Sequence, residues 1–280
     1  RLDAFLQKGI SHFHMRKSIQ EDYLAYCDRF AASLVGAKGE RASKIPLKLK
    51  IAQTANHGDQ VIKFIKSNGV TDSSIEYAKG FLDNTRMLIS ALPIENSETF
   101  RGFVLDILNY EHAVVATMLV ALLAKTLKID ADRNTKALGL AAFLHDIGLY
   151  SSGLYASSSA LQMEDLLLMN EEEKHVFRSH PLTSAELLRN AGFADPLVLQ
   201  MIEQHHERID RSGFPKEIGL GQITEMTETV ALCDEFSSFL RSNPELVSKG
   251  TASALLVDKL EGRYTKKLIE AFMTTFIGKT

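Results

Sequence analysis

The sequence predicts a mainly all-α protein: a helical bundle preceded by a small α-rich N-terminal module with at most one or two short strands. Two observations carry that expectation. Apolar residues recur at helical spacing along most of the chain, and helix start and stop signals bracket the periodic stretches. The composition, 45% hydrophobic and 24% charged with 17 Gly and 6 Pro in 280 residues, is that of a globular protein able to bury a core.

From the start, Gly9 to Arg16 alternates apolar and polar residues and reads as one strand. Ser18-Ile19-Gln20-Glu21 matches a capping box and opens a helix. Lys38-Gly39-Glu40-Arg41 reads as a polar break. Pro46 suits the first turn of a helix reaching Lys66, closed by Asn68-Gly69, and a third helix runs from Thr71-Asp72 to Ala91. The stretch Leu92 to Thr99 is the linker, dividing an N-terminal regulatory module (1–95) from a larger domain (96–280). Beyond it the expected helices are Thr99–Lys128, Asp132–Asp146, Glu171–Ser179, Leu182–Asn190, Pro196–Glu207, Ile223–Leu240 and Thr265–Phe276. Asn170-Glu171-Glu172-Glu173 is a second capping box, and the Ser-rich segment between Gly148 and His180 reads either as a lid or as a connecting loop.

A net charge of −3 argues against a broad DNA-binding or anionic-membrane surface. Two distant cysteines, Cys27 and Cys233, define no disulfide framework, so a reducing compartment, the cytoplasm, is expected. No apolar run reaches the roughly 20 residues of a membrane span, and no secretory leader is recognisable. The chain begins at Arg1 rather than Met, so further residues of the N-terminal module are expected to precede it.

The chemistry concentrates in five histidines and two aspartates. His145-Asp146-Ile147-Gly148 closes an apolar helix, with Gly148 in the place of a C-terminal cap. His205-His206 repeats the arrangement at the end of another helix. His112 falls mid-way along an apolar helix, His180 precedes Pro181 at a helix start, and Asp234 interrupts the run Val230 to Cys233. Any one of these could be a satisfied core group. Together they place imidazole and carboxylate, ligands for iron, manganese or zinc, on apolar or terminal positions of separate helices, where an unpaired polar group is costly. His12, His14, His57 and His175 belong to no such pattern and read as surface residues.

Ala142-Phe143-Leu144-His145-Asp146-Ile147-Gly148 resembles the HD signature of metal-dependent phosphohydrolases. His205-His206-Glu207-Arg208-Ile209-Asp210-Arg211-Ser212-Gly213-Phe214-Pro215 resembles the HHExxDGxGYP signature of the HD-GYP branch, and Gly262-Arg263-Tyr264 resembles that branch's C-terminal end. The resemblance covers roughly Arg101 to Thr280. It implies an HD-type bundle and a bacterial cyclic di-GMP phosphodiesterase with two or three metal ions, usually iron or manganese. By position it implies His112, His145, Asp146, His180, His205, His206 and Asp234 as metal ligands. The implied grouping is His112, His145, Asp146 and Asp234 around one ion, with Asp146, His180, His205 and His206 around the other. Asp146, as the bridging carboxylate, His180 and Arg208 are the expected catalytic residues. Two metals sharing a hydroxide lower its pKa enough to attack phosphorus, so no protein nucleophile is needed.

Several positions depart from the family pattern. Leu149 replaces a lysine after HDIG, Phe214 replaces the GYP tyrosine, Arg211 replaces a glycine, and Leu108 stands where a third-metal glutamate would be; two ions are therefore expected, iron first and manganese second. The basic segment that contacts substrate phosphates is not evident, leaving Arg211, Phe214, Arg241 and Lys249 as candidate substrate contacts, though Arg241 and Lys249 also read as solvated surface charge. Arg208 and Asp210 are expected to brace the motif loop as an ion pair. Cyclic di-GMP or a linear guanine dinucleotide is the expected substrate. The alternatives are a degenerate metal- and nucleotide-binding module that signals through a protein partner, and an HD hydrolase of another phosphate ester.

Overall fold

The computed structural model describes residues 16–92, 97–129, 131–152, 154 and 168–277, and among them there is no strand. The expected strand from Gly9, with His12 and His14, lies outside the described residues apart from Arg16, as does most of the Ser-rich segment.

A 3-10 turn, Lys17–Ile19, leads into α1 (Gln20–Val35), followed by α2 (Gly39–Lys44), α3 (Leu47–Asn68) and α4 (Asp72–Ala91). Ile19, not Ser18, takes the N-cap of α1, without a side-chain bond. The expected polar break is the short helix α2, held by a Lys44–Glu40 pair one turn apart at 2.7 Å. Gly69 closes α3 at φ +77, where a side chain would be strained, and Thr71 caps α4 with a reciprocal Thr71–Ser74 box.

After the linker come α5 (Ser97–Ile107), α6 (His112–Thr126), α7 (Asp132–Leu144), a 3-10 turn (Ile147–Leu149), α8 (Glu171–Asn190), α9 (Pro196–Gln204), α10 (Glu225–Ser242), α11 (Pro244–Lys249), α12 (Ala252–Val257) and α13 (Lys266–Phe276). Short α11 and α12 carry too few residues for a periodic signal and lie outside the expected set. The apolar helix α6 is buried on nearly every face, with α7, α10 and α13 packed around it. Helices from both sides of the linker share one apolar core: Phe81 of α4 packs on Phe143 of α7 with centroids 4.9 Å apart. Phe100, Phe236, Phe272 and Phe276 close the far end.

Three expected elements are corrected. The single helix Thr99–Lys128 is broken at Leu108–Glu111, so His112 opens α6 rather than lying mid-helix. Partners from elsewhere stabilise the break: Arg241 donates to the Leu108 and Tyr110 carbonyls, Asp59 accepts the Glu111 N–H at 3.1 Å, and Tyr110 Oη donates to Ala52 O at 3.1 Å. Second, α8 is one helix with Pro181 inside it. Pro181 has no N–H for the Phe177 carbonyl one turn back, and His180 Nδ1 donates to that oxygen instead at 2.5 Å. Third, His57 is not a surface residue but fully buried, beside Asn84 and Asp28, with its ring edge-on to Phe81. Burial lowers its pKa to about 4 against the opposing pull of Asp28, so it is neutral at pH 7. His175 is exposed as expected.

Candidate metal centre

The ends and middles of five helices converge on one cluster. His112 is the first residue of α6, His145 caps the C-terminus of α7 with Asp146 next, His180 lies within α8, His205 caps α9 with His206 next, and Asp234 lies within α10. All five imidazoles are buried. Three subsets bring ligand atoms within 4.8 Å of one another: His180, His205 and His206; His112, His145 and Asp146; and His145, His205 and Asp234. The first two fall within the groups expected for two ions, and the third crosses between them.

The backbone sets which nitrogen faces inward. His145, His180 and His205 each donate Nδ1–H to the carbonyl three residues back: Ala142 at 2.8 Å, Phe177 at 2.5 Å and Ile202 at 2.6 Å. The Ala142 and Ile202 carbonyls are free because their helices end there, and the Phe177 carbonyl is free because of Pro181. A carbonyl only accepts, so Nδ1 carries a proton and Nε2 faces the centre, the arrangement that orients metal-ligating histidines. His112 is held differently, with Nδ1 on Ser237 Oγ at 3.0 Å and Nε2 on Asp234 Oδ1 at 2.8 Å.

Each carboxylate is a hub. Asp146 lies 3.3 Å from His145 Nε2, 3.2 Å from His180 Nε2 and 3.8 Å from His205 Nε2. Asp234 lies 2.8 Å from His112 Nε2, 3.4 Å from His145 Nε2 and 3.8 Å from His206 Nδ1. Burial alone would raise both carboxyl pKa values, but the histidines hold both well below the ordinary range. Burial opposes protonation of His145, yet the two carboxylates carry its pKa well above the ordinary value. Burial, with His145 and His180 behind it, takes His205 down to about 3, and burial with His205 behind it takes His206 well below its usual value. Ionised carboxylates beside imidazoles, with His205 and His206 held neutral, form a donor set suited to a divalent cation. Two features fit that occupant: the buried His145 Nε2 and His206 Nδ1 make no well-aligned hydrogen bond, and His180 Nε2 and His205 Nε2 converge to 3.1 Å.

The loop after His206 is clamped from beneath. Glu207 accepts the Lys216 and Ile218 N–H groups at 2.7 and 3.0 Å. Arg208 is buried and donates to the His205 and Glu207 carbonyls and to Glu235 at 2.9 Å. It does not pair with Asp210, which instead accepts the Ser212 N–H at 2.9 Å. Glu235 also takes Arg263 and, at 2.8 Å, the Tyr264 hydroxyl, so the late Arg263-Tyr264 pair locks onto the motif loop. With its guanidinium committed to these partners, Arg208 is a positioning residue. Glu235 and Ser237 escape sequence reasoning; their only signal is nearness to Asp234 on α10.

Glycine is required at two points by close approach. A Cβ on Gly213 would meet His206 O at 2.3 Å and the Arg208 N at 2.6 Å. A Cβ on Gly148 would meet His180 O at 2.8 Å, and its N–H donates to Ser184 Oγ at 2.9 Å, so Gly148 seats α8 rather than capping α7. Phe214 is buried, stacks on His206 with centroids 4.5 Å apart, and packs on Phe177. Arg211 holds φ +67, the backbone a glycine would adopt freely, and its side chain lies along Gly219. Among the remaining candidates, Arg241 is tied to the Leu108 and Tyr110 carbonyls, and Lys249 is exposed in the last turn of α11. Leu149 is buried, and Leu108 packs against the main core.

The HD domain family matches residues 109–238, a span that contains all seven donors. Over residues 109–238 the chain carries an HD domain. It is similar to a cyclic di-GMP phosphodiesterase of Pseudomonas aeruginosa, 25% identical over 206 residues that cover 71% of this chain and 44% of that protein. Two 3'3'-cGAMP-specific phosphodiesterases of Vibrio cholerae are each 28% identical, over 49% and 52% of this HD chain and 30% of their own lengths. The chain thus spans less than half the length of the curated relatives it matches. Its fold is similar to that of an HDG"Y"P protein from Bdellovibrio bacteriovorus, with a TM-score of 0.67 at 18% identity over 92% of this chain and 80% of that one. No helix among the described residues is long and apolar enough to cross a membrane.

Proposed function

We propose that this HD protein is a metal-dependent phosphodiesterase that hydrolyses cyclic di-GMP or a related guanine dinucleotide, with two divalent ions, iron or manganese. The convergence of five imidazoles and two ionised carboxylates, with buried nitrogens left without well-aligned hydrogen bonds, carries the reading. The relatives named for cyclic di-GMP and 3'3'-cGAMP support the substrate class. His112, His145, Asp146, His180, His205, His206 and Asp234 would hold the ions, which when bound supply an activated water and positive charge for the phosphate oxygens. The chain's own contribution is orientation. Backbone carbonyls aim three Nε2 atoms inward, Ser237 fixes the His112 ring, and the stacked Phe214 ring shields one face of His206 from water. Arg208, through Glu235, keeps the His205 carbonyl and motif loop in register.

A second reading is favoured by the fate of the cations: Leu149 is buried where the family has lysine, and Arg241 is bound to backbone carbonyls. On that reading the domain of residues 96–280 binds metal and nucleotide without turnover, and residues 1–95 signal to a partner protein in the cytoplasm. The deciding experiment measures metal content and cyclic di-GMP turnover after anaerobic loading with iron or manganese. About two ions per chain with turnover supports the phosphodiesterase; two ions and tight nucleotide binding without turnover supports the sensor. A protein that takes up no metal overturns both.

A further inference from the structure

Away from the histidine cluster, α4, α6 and α7 enclose a cavity of about 350 Å³, a size at the lower end of small-molecule sites. Leu82, Ile89, Val120, Ala124 and Leu138 contribute to its largely apolar walls, drawn from both sides of the 92–99 linker. Thr85, whose buried hydroxyl has no hydrogen-bond partner, also lines it.

The charges around the cavity are not balanced. Arg86, Lys125, Lys128 and Lys136 line it, against Asp83 as the lining carboxylate. Arg86 is engaged by Asp132 and Asp83, and Lys136 by Asp132 at 3.0 Å. Lys125 and Lys128 have no carboxylate partner among the described residues; Lys125 reaches the Ile89 carbonyl, at 3.5 Å. The two lysines favour negative charge on a ligand, and the apolar walls favour a hydrocarbon body.

The geometry points to a binding site for a small amphipathic carboxylate, its chain in the cavity and its head at Lys125 and Lys128. The site is separate from the metal centre and stands whether or not the protein cleaves a dinucleotide.

Isothermal titration with decanoate, kept below its micellar concentration, tests this on the whole chain, with decanol and acetate as the neutral and headgroup-only probes. The expected result is saturable one-site binding of decanoate, at least about tenfold weaker binding of decanol, and none of acetate. Lys125→Gln combined with Lys128→Asn, both exposed positions, should weaken decanoate at least about tenfold, and Ala121→Phe should abolish it by filling the cavity. Should Ala121→Phe fail to fold by circular dichroism, the lysine pair decides the question. Absence of saturable decanoate binding, equal binding of decanol, or unchanged binding by the lysine variant would overturn the site.

Discussion

Replacing Gly213 with alanine tests how closely the motif loop is wrapped around His206. The new Cβ would lie 2.3 Å from His206 O, 2.6 Å from Arg208 N and 2.6 Å from Glu207 Cα, all backbone atoms. They cannot rotate away, because Glu207 and Arg208 are fastened by the hydrogen bonds to Lys216, Ile218 and Glu235. The loop must therefore shift by roughly 1 Å, a forced overpacking that costs about 1–3 kcal/mol. The shift would also break the Phe214 N–H bond to His206 O, which is 3.2 Å long, adding about 1 kcal/mol. That bond ties the aromatic wall to the histidine it stacks on, so His206 moves with the loop. With about 2.1 cal/mol/K of unfolding entropy per residue, a chain of 280 residues loses roughly 3–7 °C in Tm for about 2–4 kcal/mol. Thermal unfolding by circular dichroism, with and without metal, and chelator competition for metal affinity would measure both effects. Gly102→Ala is the control: it lies in α5 with nothing within 4 Å of its added Cβ, and should be neutral or stabilise by up to about 1 kcal/mol. A Gly213→Ala protein with a Tm within about 1 °C of the parent and unchanged metal affinity would refute the wrapped-loop reasoning.

Three further outcomes are expected. Stripping metal with a chelator should lower the Tm by roughly 4–5 °C for each ion lost, since a ligand at a hundred times its Kd stabilises by about 2.7 kcal/mol; an unchanged melting curve after complete removal would contradict a stabilising centre. Glu235→Gln should cost about 3 kcal/mol at pH 7 by leaving Arg208 and Arg263 without a carboxylate. Burial raises the Glu235 pKa, but the two arginines carry it below the ordinary value, so its contribution is present above about pH 4.3 and lost as pH falls through the folded value. The difference between parent and variant should therefore shrink in acid, and a pH-independent difference would count against the network. The buried His57, lowered to about 4, binds no proton in the folded state between its two pKa values while the unfolded chain does, so it makes stability fall as pH drops from about 6.5 toward 4. His57→Gln should flatten the pH dependence of unfolding by about one proton in that window, and an unaltered slope would show that His57 does not titrate as described.

The all-α architecture and the residues of the cluster were legible in the sequence, because helix caps and apolar periodicity are local and because costly polar groups stand out on apolar helices. Thr71, Asn170 and Gly69 mark helix ends through bonds and dihedrals that involve only their own neighbours. Tertiary structure decided what the local signals left open. Periodicity ran straight through Leu108–Glu111, and Asp59, Ala52 and Arg241, remote in the chain, stabilise the break that puts His112 at a helix start. Pro181 read as a boundary, yet the neighbouring His180 ring supplied the donor its missing N–H could not, and the helix continued. His57 carried no motif and looked like a surface residue until packing buried it. Glu235 shows the same limit: nothing in its own segment distinguishes a solvated acid from the group that holds Arg208, Arg263 and Tyr264 together. Sequence determined which chemical groups the chain owns and which helices carry them. Which of those groups meet depends on contacts between residues far apart in the chain, and no local periodicity encodes them.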